Sequence, residues 1–487
     1  MSGRPSSTSG RSPLRCRALE IGLLLALAGG ALTGCSMVGP DFMRPRVKLP
    51  ERFSSTGFNN TGVAQTVRVD EWWQSLGDPV LAGLQQAALD ANPDVQAALQ
   101  RLRAARAVQR GADARMFPTL NGGVGETRAR AAPTPFGAPI TDTFNAQFDA
   151  SWELDIWGGI RRGREAARAG VEVGEADIAD VRLALVSEVA AQYMNYRTSA
   201  RNAAYTVQTI ESRDVTRDIV GQRVRAGLSS GDELSRAESQ YELANASLAQ
   251  TQQAGDAARL ALELLCGLQP GDLAERLAPG EGPLTLPAPS GVLPVELLER
   301  RPDIRRAERL AAQAIANVGV AKANRLPRLL LSGRAGATQV VPTTGWFNPF
   351  SLAVALNGVI FDAGQLAAQI EQRDAQAAEL ISRYVQTVRS AVSEVEQRLT
   401  AVERGSQRIA ALERQVLADR DTAAIARERH RVGLTTFLDV AEAERVLFAT
   451  ELALNQARGT LATDTIALNK ALGGEWSAPV GAPLEVP

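Results

Sequence analysis

The 487-residue chain holds one histidine, three cysteines and five methionines, and only 5% of its residues are aromatic. Imidazole and sulfur are the donors from which most transition-metal sites are built, so their scarcity argues against a metal centre. Neither a Cys-x-x-Cys pair nor a phosphate-cradling glycine loop is present. The formal net charge of −1 offers no electrostatic footprint for nucleic acid. Gly227-Leu228-Ser229-Ser230-Gly231 has the form of a hydrolase nucleophile elbow, but that motif needs a preceding strand and a histidine partner. Here a long helical pattern precedes it. With 45% hydrophobic residues and so few rings, the composition suits long helices better than a cofactor pocket.

Long apolar runs are missing as well. The run from Ile21 to Leu32 follows Arg4, Arg11, Arg15 and Arg17 and is too short for a stable span, so residues 1–34 read as a secretory leader. The leader ends Leu32-Thr33-Gly34-Cys35, which matches the bacterial lipobox: small residues admit the peptidase and the Cys35 thiol takes a diacylglycerol. The expected mature terminus is Cys35, S-diacylglycerated and N-acylated, and no other cofactor is expected. Ser36 stands where Asp would favour the inner membrane, so an outer-membrane address is expected. Several acyl chains anchor stably where one would not. Cleavage removes Cys16 and leaves Cys266 as the free thiol, so no intrachain disulfide framework can form.

Proline is absent from about Gly159 to Ala226 and again from about Gly364 to Val432. Each run, as one helix, would reach about 100 Å at about 1.5 Å per residue. The two runs belong to an internal duplication. Gly227 and Gly433 lie 206 residues apart, as do Gly267 and Gly473, while Pro93 and Pro302 lie 209 apart. Each half reads helix, short strands, very long helix, glycine turn, helix, a repeat pattern that points to stacking or ring-forming architecture. The organisation expected is an extended segment at 35–78, a first repeat at 79–285, a second at 286–475 and a tail at 476–487. Val388, Val392, Val395, Leu399 and Val402 step by four and three, a coiled-coil seam. Glu394, Glu396, Arg398 and Glu403 lie off it and are expected to be mostly solvated surface. Trp72-Trp73 is expected to pack against the helical body.

From Asn145 to Asp155, apolar Ala146, Phe148, Ala150, Trp152 and Leu154 alternate with polar residues, the period of a strand wet on one side. Strands are predicted near 119–128, 143–155, 327–337 and 350–360, each about long enough to cross a bilayer at a tilt. Four strands cannot close a barrel, and open edges cannot face lipid. Several chains must then share one barrel, eight strands from two copies or twelve from three.

Together these features resemble the TolC-type outer-membrane efflux channels, in their lipoprotein branch. The resemblance is carried by Cys35-Ser36-Met37-Val38-Gly39-Pro40-Asp41-Phe42-Met43-Arg44-Pro45, Trp72-Trp73 with Asp78-Pro79, and Leu297-Leu298-Glu299-Arg300-Arg301-Pro302-Asp303-Ile304. Gly319-Val320-Ala321-Lys322-Ala323 and the Gly433 turn into Leu438-Asp439-Val440 extend it over essentially the whole mature chain. The resemblance implies a mainly α fold with transmembrane β: a homotrimer with a shared twelve-stranded outer-membrane barrel and a periplasmic α-barrel of antiparallel coiled-coil helices. It implies a passive, non-enzymatic exit duct for drugs or other small toxic compounds. The implied partners are a periplasmic adaptor, an inner-membrane pump of resistance-nodulation-division type, and outer-membrane lipid. A pore-less lipid-anchored periplasmic tether or adaptor, and a duct for protein secretion, remain as alternatives.

The resemblance also assigns residues. It places Leu438, Asp439, Glu442 and Arg445 at the periplasmic mouth, beyond the helix-turn tips Gly227 and Gly433. Threefold repetition would make rings of carboxylates that favour cations, with Arg445 close enough to pair with Glu442. Thr436-x-x-Asp439 and Ser230-x-x-Glu233 also fit helix caps. The family usually has Tyr where His430 stands, bonding an acid at the position of Glu233. A Glu233 to His430 contact is therefore expected, strengthened as the imidazole gains a proton in mild acid. Arg325-Leu326-Pro327 lacks the aromatics the family often has there, which leaves the aromatic belt open at that strand.

Overall fold

The two proline-free stretches become the longest elements of the computed structural model, which describes residues 37–54, 78–130, 140–277, 282–284, 286, 294–341 and 345–473. Helices α1 (Pro79–Ala91) and α2 (Pro93–Ala114) lead into strands β1 (Thr119–Arg130) and β2 (Ile140–Leu154), then α3 (Gly159–Arg225) and α4 (Gly231–Leu265). After one short turn, α5 (Leu297–Arg300), the order returns: α6 (Pro302–Ala323), β3 (Arg328–Val341), β4 (Phe350–Asn357), α7 (Gln365–Arg431) and α8 (Phe437–Ala471). Helices α3 and α7 are 67 residues each and α4 and α8 are 35 each. The predicted helices and strands are thus found to within a few residues. Cys35, Trp72-Trp73 and the tail at 476–487 lie outside the described residues.

Local chemistry sets the ends of these elements, and does so twice. Asp78 caps α1 by accepting from the Val80 and Leu81 amides at 2.9 and 3.1 Å, with Pro79 at the first helical position, where its missing N–H costs nothing. Asp155 accepts from the amides of Ile160 and Arg161 at the head of α3, and Asp362 from Gly364 and Leu366 at the head of α7. The long helices end in matching turns. Leu228 N–H reaches Arg223 O and Leu434 N–H reaches Arg429 O, both at 2.8 Å, over Gly227 at φ +72° and Gly433 at φ +79°. These are Schellman closures, which need the left-handed backbone that glycine adopts without a Cβ clash.

The described residues divide into two compact units, each drawing on both halves: those within 1–43, 106–170 and 310–380 form one, and those within 44–105, 171–309 and 381–487 the other. The first holds an antiparallel sheet in the order β1-β2-β3-β4. Below it Arg162, 1% exposed, grips the lead-in segment. Its guanidinium donates to Val38 O at 3.3 Å, Gly39 O at 3.1 Å, the Asp41 carboxylate at 2.7 Å and Glu165 at 2.6 Å. Val38 N–H donates in turn to Trp157 O at 3.0 Å. Gly39, at φ +100°, lies so close to Gly319 that a Cβ on it would stand 2.5 Å from the Gly319 Cα. Gly39 is therefore required by its approach to Gly319, and Gly319 by the Arg162 side chain, whose Cγ a Cβ there would meet at 2.8 Å.

In the second unit the apolar faces of the helices make the core. Leu81, Leu84 and Ala88 of α1 pack on Leu185, Val189 and Met194 of α3 and Ile466 of α8. The seam predicted on α7 is buried at Val388, Val395 and Leu399, with Val392 and Val402 packed beside them, and Phe53 of the lead-in segment plugs the same cluster. The residues off the seam are not simply solvated, contrary to expectation. Glu394 pairs with Arg301 at 2.9 Å, Glu396 accepts from the Ser54 amide and hydroxyl at 2.8 and 2.6 Å, and Arg398 pairs with Asp464 at 3.3 Å. They join α7 to α6's head, to the lead-in segment and to α8, which sequence period alone does not specify. Nearer the turn, Glu413–Arg458, Arg420–Glu451 and Arg427–Glu444 form an ion-pair ladder between α7 and α8 at 2.7–2.8 Å. Its rungs are seven residues apart on both helices, the coiled-coil repeat.

Candidate functional site

Two places carry the features expected of a site, and the first is the sheet. Register puts Leu120 opposite Ala150, Ala150 opposite Gly333, and Gly333 opposite Leu352. One row away Gly122, Phe148, Ala335 and Phe350 align in the same way. Because side chains alternate across a pleated sheet, all of these share one face, which continues through Trp152, Leu331 and Val354 to Leu154, Leu329 and Leu356. Leu120, Val124, Phe148, Phe350, Leu352, Val354 and Leu356 are exposed on it. The other face carries Asn121, Asp149, Arg334 and Ser351 in register, with Arg334 on Asp149 at 2.6 Å.

An apolar face of this extent on a surface marks a partner or a membrane. From Phe144 to Leu154 the band runs about 34 Å along the strand at about 3.4 Å per residue. Tilted as membrane strands are, it spans about 25 Å, the height of the apolar band of an outer-membrane barrel. Among the described residues no helix is long and apolar enough to cross a membrane. At the helix-proximal ends of the strands, Phe117, Trp157, Ile360 and Phe361 are exposed. The missing aromatic near Pro327 is supplied by a neighbour, since Trp157 Nε1 donates to Pro327 O at 2.7 Å.

The second place is the pair of glycine turns, which the structure brings together. Phe437, the first residue of α8, is buried between Val220 of α3 and Ala237 of α4, with Val224, Leu234 and Ala441 around it. Phe437 and Val440 thus point inward, which leaves Leu438, Asp439, Glu442 and Arg445 exposed together on the opposite side of the first turns of α8. Asp439 Oδ2 accepts from the Thr436 amide at 3.0 Å, from its hydroxyl at 2.8 Å and from the Thr435 hydroxyl. These three donors hold the Asp439 carboxyl below its ordinary value. Arg445 forks onto Glu442 at 2.8 and 2.6 Å and lowers that carboxyl likewise. On the first turn Ser230 Oγ accepts from the Glu233 amide at 3.4 Å, a looser cap.

The expected contact between Glu233 and His430 is not made. His430 Nδ1 lies 3.1 Å from Thr435 O and Nε2 lies 3.4 Å from the Arg223 guanidinium, while its ring edge meets Phe437 at 6.2 Å between centroids. The Schellman turn curls the chain back over the end of α7, so the nearest acceptor for the imidazole is a carbonyl five residues on. The neighbour across the gap is the last turn of α3, not the start of α4. The heptad ladder and the Phe437 plug were missed by the sequence reading, although the seven-residue spacing of Glu413, Arg420 and Arg427 was there to be seen.

The sequence profile of the family described as Outer membrane efflux protein matches residues 84–268 and 293–474. Nodulation protein T of Rhizobium leguminosarum bv. viciae is 30% identical over 465 residues, covering 93% of this chain and 94% of that protein. The solvent efflux pump outer membrane protein SrpC of Pseudomonas putida is 30% identical, covering 92% and 96%. Among solved structures, the outer-membrane channel OprN superposes with a TM-score of 0.80 at 29% identity, over 90% of this chain and 99% of that one.

Proposed function

Since the chain belongs to the outer membrane efflux protein family, we propose that it acts as a passive exit duct assembled from three copies, each lending four strands to one closed barrel. Efflux through the outer membrane is the function its family carries. The observation that carries the finer reading is the sheet: one face apolar over about the height of a bilayer, with β1 and β4 left as open edges. An open edge cannot face lipid, because its N–H and C=O groups would have no partner there. Joining β1 of one copy to β4 of the next satisfies both.

The polar face, with its Asp149–Arg334 pair, then lines the lumen. The long helices form the periplasmic tube, which meets a periplasmic adaptor and an inner-membrane pump of the resistance-nodulation-division type. Energy comes from the pump, and the chain contributes no catalysis. The cargo is a small toxic compound, as for the relative named as a solvent efflux protein. Cys35 carries the acyl chains. The Arg162 clamp supports this, because Met37 stands two residues from Cys35 and the clamp holds its neighbour Val38 on Trp157 at the base of the sheet.

The mouth is ringed by Leu438, Asp439, Glu442 and Arg445 from each copy. Two carboxylates per chain that stay ionised below their usual range favour cations at a constriction. The test is conductance of the detergent-extracted protein in a planar bilayer, wild type against a double Asp439→Ala, Glu442→Ala variant. Small cation-selective steps that enlarge and lose selectivity in the variant are expected. Silence from both proteins, each shown folded, would overturn the duct in favour of a pore-less tether.

A further inference from the structure

Arg213 of α3 is 8% exposed, and among the described residues no carboxylate lies within ion-pair distance of it. Its guanidinium donates to Gln240 O at 2.5 Å and stands 5.9 Å from the centre of the Phe448 ring. The side-chain oxygen of Gln240, Oε1, is itself buried without a hydrogen-bond partner. Both groups line a cavity of about 20 Å³ together with Thr216, Ala237, Phe437, Ala441 and Glu444. That volume admits roughly one water, so it is room for a side chain to turn and not for a ligand. Burial pulls the Arg213 guanidinium below its ordinary value, and the charge of Glu444 opposes this.

Glu444 is engaged elsewhere. It closes the last rung of the α7–α8 ladder on Arg427 at 2.7 Å, and the Arg427 side chain is 54% exposed. The two possible partners of Glu444 differ in what they lose without it. Arg427 can be hydrated by bulk water, so its pair is a surface ion pair of small worth. Arg213 cannot, and a buried cation without a counter-charge is costly. Both cations therefore compete for Glu444, and Phe437, seated between Val220 and Ala237, lines the same small cavity as Arg213 and Glu444. The first hairpin has no such ladder rung: Gly221 stands at the position that corresponds to Arg427.

We propose that Glu444 is a positioning residue of the gate, which leaves Arg427 and pairs with buried Arg213 when the mouth opens, drawing the head of α8 onto α3. The proposal rests on the reading of Leu438, Asp439, Glu442 and Arg445 as the mouth. These residues sit on the first turns of the same helix, so a shift of its head moves all of them at once. Interfaces with two discrete packings of this kind turn small displacements into switching.

The test is single-channel conductance of four proteins: wild type, Arg427→Gln, Arg427→Gln with Arg213→Met, and Arg427→Gln with Glu444→Gln. Releasing Glu444 by Arg427→Gln is expected to raise the mean step at least twofold, and each second substitution is expected to return it to the wild-type level. Circular dichroism and native-gel mobility establish that each variant is assembled; should Arg213→Met not assemble, the Glu444→Gln pair alone decides. An Arg427→Gln step equal to wild type overturns the exchange, and so does an enlarged step that persists when Glu444 is also neutralised, which would mean simple loosening of the hairpin. The Asp439→Ala, Glu442→Ala protein serves as reference. If it enlarges the steps while Arg427→Gln does not, the exchange fails and the mouth stands; if neither changes, the mouth itself fails.

Discussion

Replacing Arg162 by Met tests whether the lead-in segment is clamped as the structure indicates. Methionine keeps the apolar bulk against Gly319 and removes every donor. The two backbone acceptors, Val38 O and Gly39 O at 3.3 and 3.1 Å, each lose a charge-assisted hydrogen bond, which at the lower end of its range is about 1.5 kcal/mol. The Asp41 side chain is 82% exposed, so its ion pair adds little. The sum is about 3 kcal/mol of local opening free energy, or roughly a hundredfold in the opening equilibrium. Amide hydrogen exchange of a peptide covering residues 36–43 reads this directly, because the Val38 amide is bonded to Trp157 O and exchanges only when the segment lifts. The Val38 amide should exchange about a hundredfold faster in the variant, while peptides from the sheet stay unchanged. An exchange rate within about threefold of wild type would refute the clamp, since RT ln 3 is under 1 kcal/mol.

The carboxylates proposed to line the mouth make a signed prediction about pH. Asp439 and Glu442 are both held below their ordinary values of 3.8 and 4.5, so both stay charged as pH falls from neutrality, and whatever their charged forms stabilise is lost only as pH passes below those ordinary values. Cation selectivity measured by reversal potential should therefore be the same at pH 7 and pH 5; a fall in selectivity already at pH 6 would contradict the assignment. Cys266 makes a simpler test. Burial raises its thiol to about 11, and its Sγ–H donates to Leu84 O at 3.3 Å inside the first core cluster. A maleimide at pH 8 should leave it unmodified in the assembled protein and label it fully in denaturant. Rapid labelling of the native protein would show that the packing of α1 on α4 is wrong.

Much of this molecule was legible because its signals are local or periodic. Absence of proline set the extent of α3 and α7, the paired glycines at 227 and 433 marked their ends, and period-two alternation from Asn145 to Asp155 named a strand with one apolar face. The 206-residue repeat made each half a check on the other. Asp439 could be read as a cap from its spacing to Thr436, because the partners lie within one turn. Glu233 and His430 could not be joined in the same way. They lie about two hundred residues apart, and whether they touch depends on how two hairpins meet, which a Schellman turn and the Phe437 plug decide.

The sequence by itself therefore determined the elements, their order, the duplication and the alternation that leaves one face of the sheet apolar, since each depends on contacts within a few residues or on composition. Only the tertiary structure decided which residues are partners across elements. It placed Arg162 on the carbonyls of Val38 and Gly39, put Trp157 beside Pro327 where the next strand lacked an aromatic, turned His430 toward Arg223, and buried Arg213 with no described carboxylate within ion-pair distance. The physical reason is that a hydrogen bond or ion pair requires both groups within about 3 Å. Periodicity fixes which face a residue occupies, whereas the group opposite is set by the packing of the whole chain.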